Sequence, residues 1–142
     1  LPDTYYLIGP GSTTRTLMDE MGLPDMLIGV DLICNRQLVQ SDLNEADILK
    51  RLDEKPTHLI VTPTGGQGYL LGRGNQQLSA KVLRRIGKEN LHVLATKEKL
   101  FHLRGRALLV DTGDEEVDKM LCGYVRVIVS YREEQMCRIS RI

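Results

Sequence analysis

Net charge is the first thing missing from this chain of 142 residues, in which 19 Lys and Arg are matched by 19 Asp and Glu. That balance removes the electrostatic case for binding nucleic acid or an anionic membrane surface. An anion bound here must be held locally, by backbone amides and a few basic side chains. Long apolar runs are missing too. None approaches the roughly 18 to 20 residues of a bilayer-spanning helix, and the start shows no signal-peptide pattern. Cysteine is scarce: Cys34, Cys122 and Cys137 are odd in number and lack metal-type spacing, and each sits in an apolar context. They are expected to be small buried hydrophobes in a reducing compartment, which places the protein in the cytoplasm. His58, His92 and His102 are scattered, and structural roles are expected for them. There is no internal repeat, low-complexity tract or domain-splitting linker. Residues 1–142 are therefore expected to form a single domain. Leu1 in place of methionine, with a strand following almost at once, suits a fragment cut from a longer protein.

What is present is an alternation of strands and helices. "YYLIG" (5–9) is a short apolar run ended by glycines and predicts a buried strand. "STTRTLMDEMG" (12–22) has a Ser/Thr cap, helical spacing and a glycine stop. "MLIGVDLI" (26–33) predicts a strand, with "RQLVQSD" (36–42) pairing back onto it. Residues 44–53 predict a helix capped by Asn44 or Asp42, and "THLIVTP" (57–63) is the most strand-like run. Helices are predicted at 79–87 and 114–123 and a helical turn at 97–103, with strands at 92–96 and 107–112. Residues 124–139 predict one or two final strands, or a hairpin. Apolar strands separated by helices imply an α/β fold with a mainly parallel sheet and helices on both faces, a three-layer arrangement. "LIVTP" is expected at its centre and "YVRVIVSY" nearer an edge, with "SYREEQMCRISR" as a solvated outer strand.

In such sheets ligands collect at the carboxyl ends of the strands. There the chain places "GPGSTTR", "TPTGGQGYLLGRGNQQ", "TKEK" and "DTGD". If the sheet is parallel throughout, these four loops converge on one rim. "GPGSTTR" offers Gly9 and Gly11 for turning, then amides and hydroxyls of Ser12, Thr13 and Thr14 at a helix start. That is physically an anion site, and equally a capped turn. It lacks the lysine of a Walker A loop and the Rossmann glycine spacing. The second loop packs Gly65, Gly66, Gly68, Gly72 and Gly74 into residues 65–74, a costly use of backbone entropy. Gln67, Arg73, Asn75 and Gln76 add groups that clamp phosphates or fix amides and hydroxyls. Asp111 could meet ribose hydroxyls, a metal or a substrate proton, while Asp114 caps the next helix. Asp31, inside an apolar run, would be costly if buried without a partner.

The stretches "YYLIGPGSTTRTLMDEMGL", "LIGVDLI", "VTPTGGQGYLLGRGNQQLSAKVLRRIGKENLHVLATKEKL" and "LLVDTGDEEVDKMLCGYVRVI" resemble the C-terminal region of a bacterial and archaeal family. Its members are the ATP-NAD kinase-like proteins, the predicted inorganic polyphosphate/ATP-NAD kinases. The resemblance covers nearly the whole chain, and "GGQG…GRGNQQ" with "VDTGD" is its most specific part. It implies that Gly9, Gly11, Ser12, Thr13 and Thr14 hold a phosphate. Gly65, Gly66, Gln67, Gly68, Arg73, Asn75 and Gln76 would form a substrate loop, and Asp111 an acidic contact. For the full-length protein it implies NAD phosphorylation with ATP or polyphosphate and Mg²⁺, by way of an upstream kinase-like domain of the same chain. A homo-oligomer is compatible with it. The GGDGT-type motif that shapes the nucleotide site of NAD kinases is not in this sequence, so the chain alone is expected to be inactive. No residue is assigned as general base, and no metal or cofactor is implied by the chain alone. Two other readings stay open: a ligand-sensing regulatory module, and a self-sufficient enzyme, since "GPGSTT" also resembles the phosphate loops of sugar-phosphate isomerases.

Arg73 is the sharpest single residue, because Gly72 and Gly74 free the backbone to aim it. A bidentate contact to phosphate would be worth roughly 1.5 to 3 kcal/mol. Arg73→Ala is expected to lose that affinity in a titration with the phosphorylated ligand while leaving the melting temperature nearly unchanged, and Arg73→Lys should not restore it. Loss of stability without loss of binding would make Arg73 a structural clamp.

Overall fold

The computed structural model describes residues 2–11, 19, 22, 29–64, 67–72, 76–130 and 132–142. In chain order the elements are β1 (Tyr5–Ile8), β2 (Asp31–Cys34), β3 (Gln37–Gln40), α1 (Glu45–Leu52), β4 (Thr57–Val61) and β5 (Tyr69–Leu71). They continue with α2 (Ala80–Ile86), β6 (Leu91–Leu94), α3 (Lys97–His102), β7 (Leu108–Val110), α4 (Glu115–Leu121), β8 (Gly123–Ser130) and β9 (Glu133–Arg141). The helix expected over 12–22 lies almost wholly outside the described residues, as does the start of the strand expected at 26–33.

Local signals set the helix starts. Asn44 accepts from the Asp47 N–H at 2.8 Å while Asp47 accepts from the Asn44 N–H at 3.3 Å, a reciprocal cap. Ser79, Thr96 and Asp114 cap α2, α3 and α4 in the same sense. The β2–β3 hairpin turns at Asn35 and Arg36, both with positive φ (52° and 63°), the geometry that matches strand twist in a two-residue turn.

One nine-stranded sheet runs in the order β3-β2-β1-β4-β6-β8-β9-β7-β5. β1, β4, β6 and β8 are mutually parallel. β9 reverses against β8, and β7 and β5 then run parallel to β9. The fold is thus mixed α/β, mostly parallel, as expected in class. β4 has parallel partners on both sides, in the interior position expected of it. β8 does not lie near an edge: it sits between β6 and β9, and β9 is flanked in turn by β7. The edges are β3 and β5. β5 was hidden in the glycine segment, because three residues are too few to show a period.

The register puts Tyr5, Leu7, Leu59 and Val61 on one face with Leu91, Val93 and Val127. That face forms the main core with Ile48 of α1, Val82, Leu83 and Ile86 of α2, Leu100 of α3, and Val117 and Leu121 of α4. Full burial of each such side chain stabilises by about 2 kcal/mol. On the opposite face Ile8 and Ile33 gather Tyr6, Leu38 and Ile60, and no described helix contributes to that cluster. Helices on both faces, as expected, are therefore not found among the described residues.

Backbone geometry explains two of the glycines, one by close approach and one by conformation alone. Gly72 has φ +109°, and a Cβ there would overlap the Asp111 carbonyl. Gly113 has φ +84° with open space around it. Gly72→Ala is expected to cost more than about 2 kcal/mol, and Gly113→Ala about 1 kcal/mol from backbone strain alone. Urea denaturation of the two variants checks the order, and equal costs would mean that β5 does not pack on β7 this way.

Candidate functional site

Gly9 ends β1 at the carboxyl edge of the sheet, and its N–H continues the ladder to the Ile60 carbonyl at 2.9 Å. It is buried, and a Cβ would sit 3.3 Å from Val61 Cγ1 and 3.8 Å from Leu78 Cδ1. The backbone therefore enters the loop pressed against β4 and the approach to α2. Gly11 follows at φ +145°. Ser12, Thr13 and Thr14 lie outside the described residues, as do Gly65, Gly66, Arg73 and Asn75.

After β4, Thr62 and Pro63 are buried, and Thr64 and Tyr69 exchange backbone hydrogen bonds at 2.8 and 3.2 Å. That antiparallel bridge joins the two ends of the segment, where Gln67 is exposed and Gly68 buried. Gly68 (φ +78°) faces Leu103, whose Cδ2 would lie 2.9 Å from an added Cβ. The central Tyr-Leu-Leu is anchored by strand pairing with β7. Gln76 is exposed ahead of α2.

The fourth loop does not join this rim. β7 runs opposite to β1, β4 and β6, so Asp111 opens on the other edge of the sheet. Arg84, in the last turn of α2 before β6 begins, reaches Asp114 at 2.9 Å and marks the same edge. The structure brings Asp111 to Gly72: the Asp111 N–H donates to the Leu71 carbonyl at 3.1 Å. The expected convergence of four loops becomes three, after β1, β4 and β6.

The "DTGD" turn is held from within. Thr112 donates its N–H and its hydroxyl to Asp118 Oδ1 at 3.0 and 2.7 Å. Asp114 accepts from the N–H groups of Glu116 and Val117, and these with Arg84 hold its carboxyl below the usual range. Asp118 was not singled out in the sequence, since its role depends on a turn six residues earlier. Lys97 pairs with Glu133 at 2.6 Å, with both side chains well exposed. Asp31 is buried, and burial pushes its carboxyl up, aided by the nearby Asp42 charge. Its partner is the Asp42 N–H at 3.1 Å.

A row of rings crosses the second face of the sheet. Tyr6 stacks on His58 (5.5 Å between centroids) and His58 on His92 (5.0 Å), with His58 Nδ1 2.8 Å from His92 Nε2. One imidazole donates and the other accepts. Each histidine looked solitary in the sequence; only the pairing of β1, β4 and β6 shows them as neighbours. Among the described residues no group of three His, Cys, Asp or Glu side chains gathers to hold a metal ion. None of the described helices is long and apolar enough to cross a membrane.

The loops after β1 and β4, which carry glycines, and the segment after β6 thus share one edge of the sheet, at the carboxyl ends of parallel strands. The chain belongs to the ATP-NAD kinase C-terminal domain family, which it matches over residues 1–139. No curated protein and no solved structure matches it.

Burial, then the charge of His58, lowers the pKa of His92. The unfolded chain therefore binds a proton at a higher pH than the folded one, and stability falls as pH drops below about 6.5, the unperturbed value. Urea midpoints between pH 5 and 7.5 are expected to fall less steeply on acidification in His92→Phe than in the parent. Parallel curves would mean that His92 titrates as it does in the unfolded chain.

Proposed function

We propose that this chain is the substrate-side domain of an NAD kinase-like phosphotransferase, contributing contacts to a nucleotide or another phosphorylated small molecule. Membership of the ATP-NAD kinase C-terminal domain family carries this reading. The rim after β1, β4 and β6 supports it: backbone amides there follow buried strand ends, and the loops after β1 and β4 are rich in glycine. The phosphate would meet Gly9 and Gly11 with Ser12, Thr13 and Thr14. The acceptor would meet the glycine segment with Gln67, Arg73, Asn75 and Gln76. Asp111 belongs to this site only through the Gly72 end of that segment.

Phosphoryl transfer depends mainly on positioning and charge stabilisation, which backbone amides and a guanidinium supply. In this reading ATP or polyphosphate is the donor, NAD the acceptor, and an upstream domain of the longer protein brings the GGDGT-type loop. The described carboxylates do not assemble a Mg²⁺ site, so no step is assigned to the metal here. The reading also carries a cytoplasmic location and a helical layer over the second face of the sheet.

A thermal-shift screen against NAD, NADP, ATP, polyphosphate and sugar phosphates tests it. Native-state binding at 100 times the dissociation constant adds about 2.7 kcal/mol of apparent stability. A shift with NAD or ATP is the expected result. A response to sugar phosphates alone would favour the isomerase-like reading instead.

A further inference from the structure

β7 pairs with β9 only at Ile139–Arg141, although β9 begins at Glu133. Ahead of Ile139, the outer edge of β9 has no strand beside it among the described residues. Helix α3 and the turn after it stand opposite, and the gap between them is a cavity of about 740 Å³. That is the size of an ordinary small-molecule site, and an open strand edge lends it backbone hydrogen-bonding groups.

Its lining has two characters. Leu100, Leu103 and Leu108 make an apolar base. Around them Phe101, Tyr124 and Met136 stand 78%, 69% and 60% exposed, an unusual outlay of large apolar side chains around one opening. Arg106 and Arg138 supply charge, and neither forms an ion pair among the described residues. Arg106 commits only its Nε, to the Leu103 carbonyl at 2.9 Å. Arg138 lies directly across from Tyr124 in the β8–β9 register. The third cation, Lys97, is matched by Glu133, and the acid of the lining, Glu98, is turned to solvent beside His102. The cavity thus holds two uncompensated guanidiniums.

A neutral hydrophobic ligand would desolvate those guanidiniums without a partner. A bare inorganic anion would leave the ring and thioether surfaces in water. A ligand carrying both a flat apolar body and an acid satisfies both, because guanidinium groups pair with planar acids and stack on rings. We propose that this cavity binds a small planar aromatic anion, its ring against Phe101 and Met136 and its carboxylate, sulfonate or phosphate on Arg106 and Arg138. The cavity borders the segment after β6 through Lys97 and Glu98 but takes no lining residue from Gly9, Gly11 or the glycine segment, so it stands whether or not those glycine loops bind a nucleotide.

Two dyes that share one ring skeleton and differ by a sulfonate group test it on the 142-residue chain: 1-anilinonaphthalene-8-sulfonate and N-phenyl-1-naphthylamine. The sulfonate is expected to bind one saturable site and to bind more tightly than its neutral counterpart. The double substitution Arg106→Gln with Arg138→Gln should weaken the sulfonate by about tenfold or more and leave the neutral dye within about twofold. Phe101→Ser should weaken both. Methyl-labelled methionine in the unsubstituted chain gives a reading that no folding defect can spoil. The Met136 signal, assigned with Met136→Leu, is expected to move on saturation with the sulfonate while that of Met120 holds. Unsaturable binding, a double variant that binds as tightly as the parent, or an unmoved Met136 signal each overturns the proposal.

Discussion

The antiparallel pairing of β8 with β9 joins two parallel blocks that run in opposite directions. β1, β4, β6 and β8 point one way, and β5, β7 and β9 the other. Strand polarity decides which loops share an edge, so this one hairpin separates the loops after β1, β4 and β6 from the "DTGD" loop after β7. It also lets the core face run unbroken from Leu7 to Ile139, because hydrogen bonding across the reversal keeps the pleats in step. Three loops on one edge of the sheet, with Asp111 on the other, follow from that reversal.

Glycine in this chain serves packing as much as any ligand. Gly72 lets β5 lie against the end of β7, Gly68 admits Leu103, and Gly29 (φ +91°) admits the Asp42 side chain. Each is a place where a Cβ would meet atoms already there, so the cost of ordering glycine is offset by contact. In the glycine segment, close approach occurs at Gly68 and Gly72. What approaches there is the protein's own chain.

Buried and half-buried polar groups follow the same economy of partners. Asp31 finds the Asp42 N–H, Asp118 receives two bonds from Thr112, and His58 and His92 share one. A buried polar atom left unpaired would cost more than its bond returns. These pairs are spread over both faces of the sheet, where they hold loop and strand geometry around the site without belonging to it.

Element identity was legible in the sequence because its causes are local. The caps at Asn44, Ser79 and Asp114, the stop at Gly87 and the apolar runs of β1, β4 and β6 each act within a few residues. The family resemblance was legible for the same reason, residing in contiguous motifs. Tertiary structure alone decided the rest. β5 is too short to carry a period, and the histidine pair arises from residues 34 positions apart. The reversal at β8–β9 depends on which strand edges find one another, and the cavity beside α3 on where β7 stops pairing. Such features rest on contacts between segments distant in sequence, and a local pattern holds no record of them.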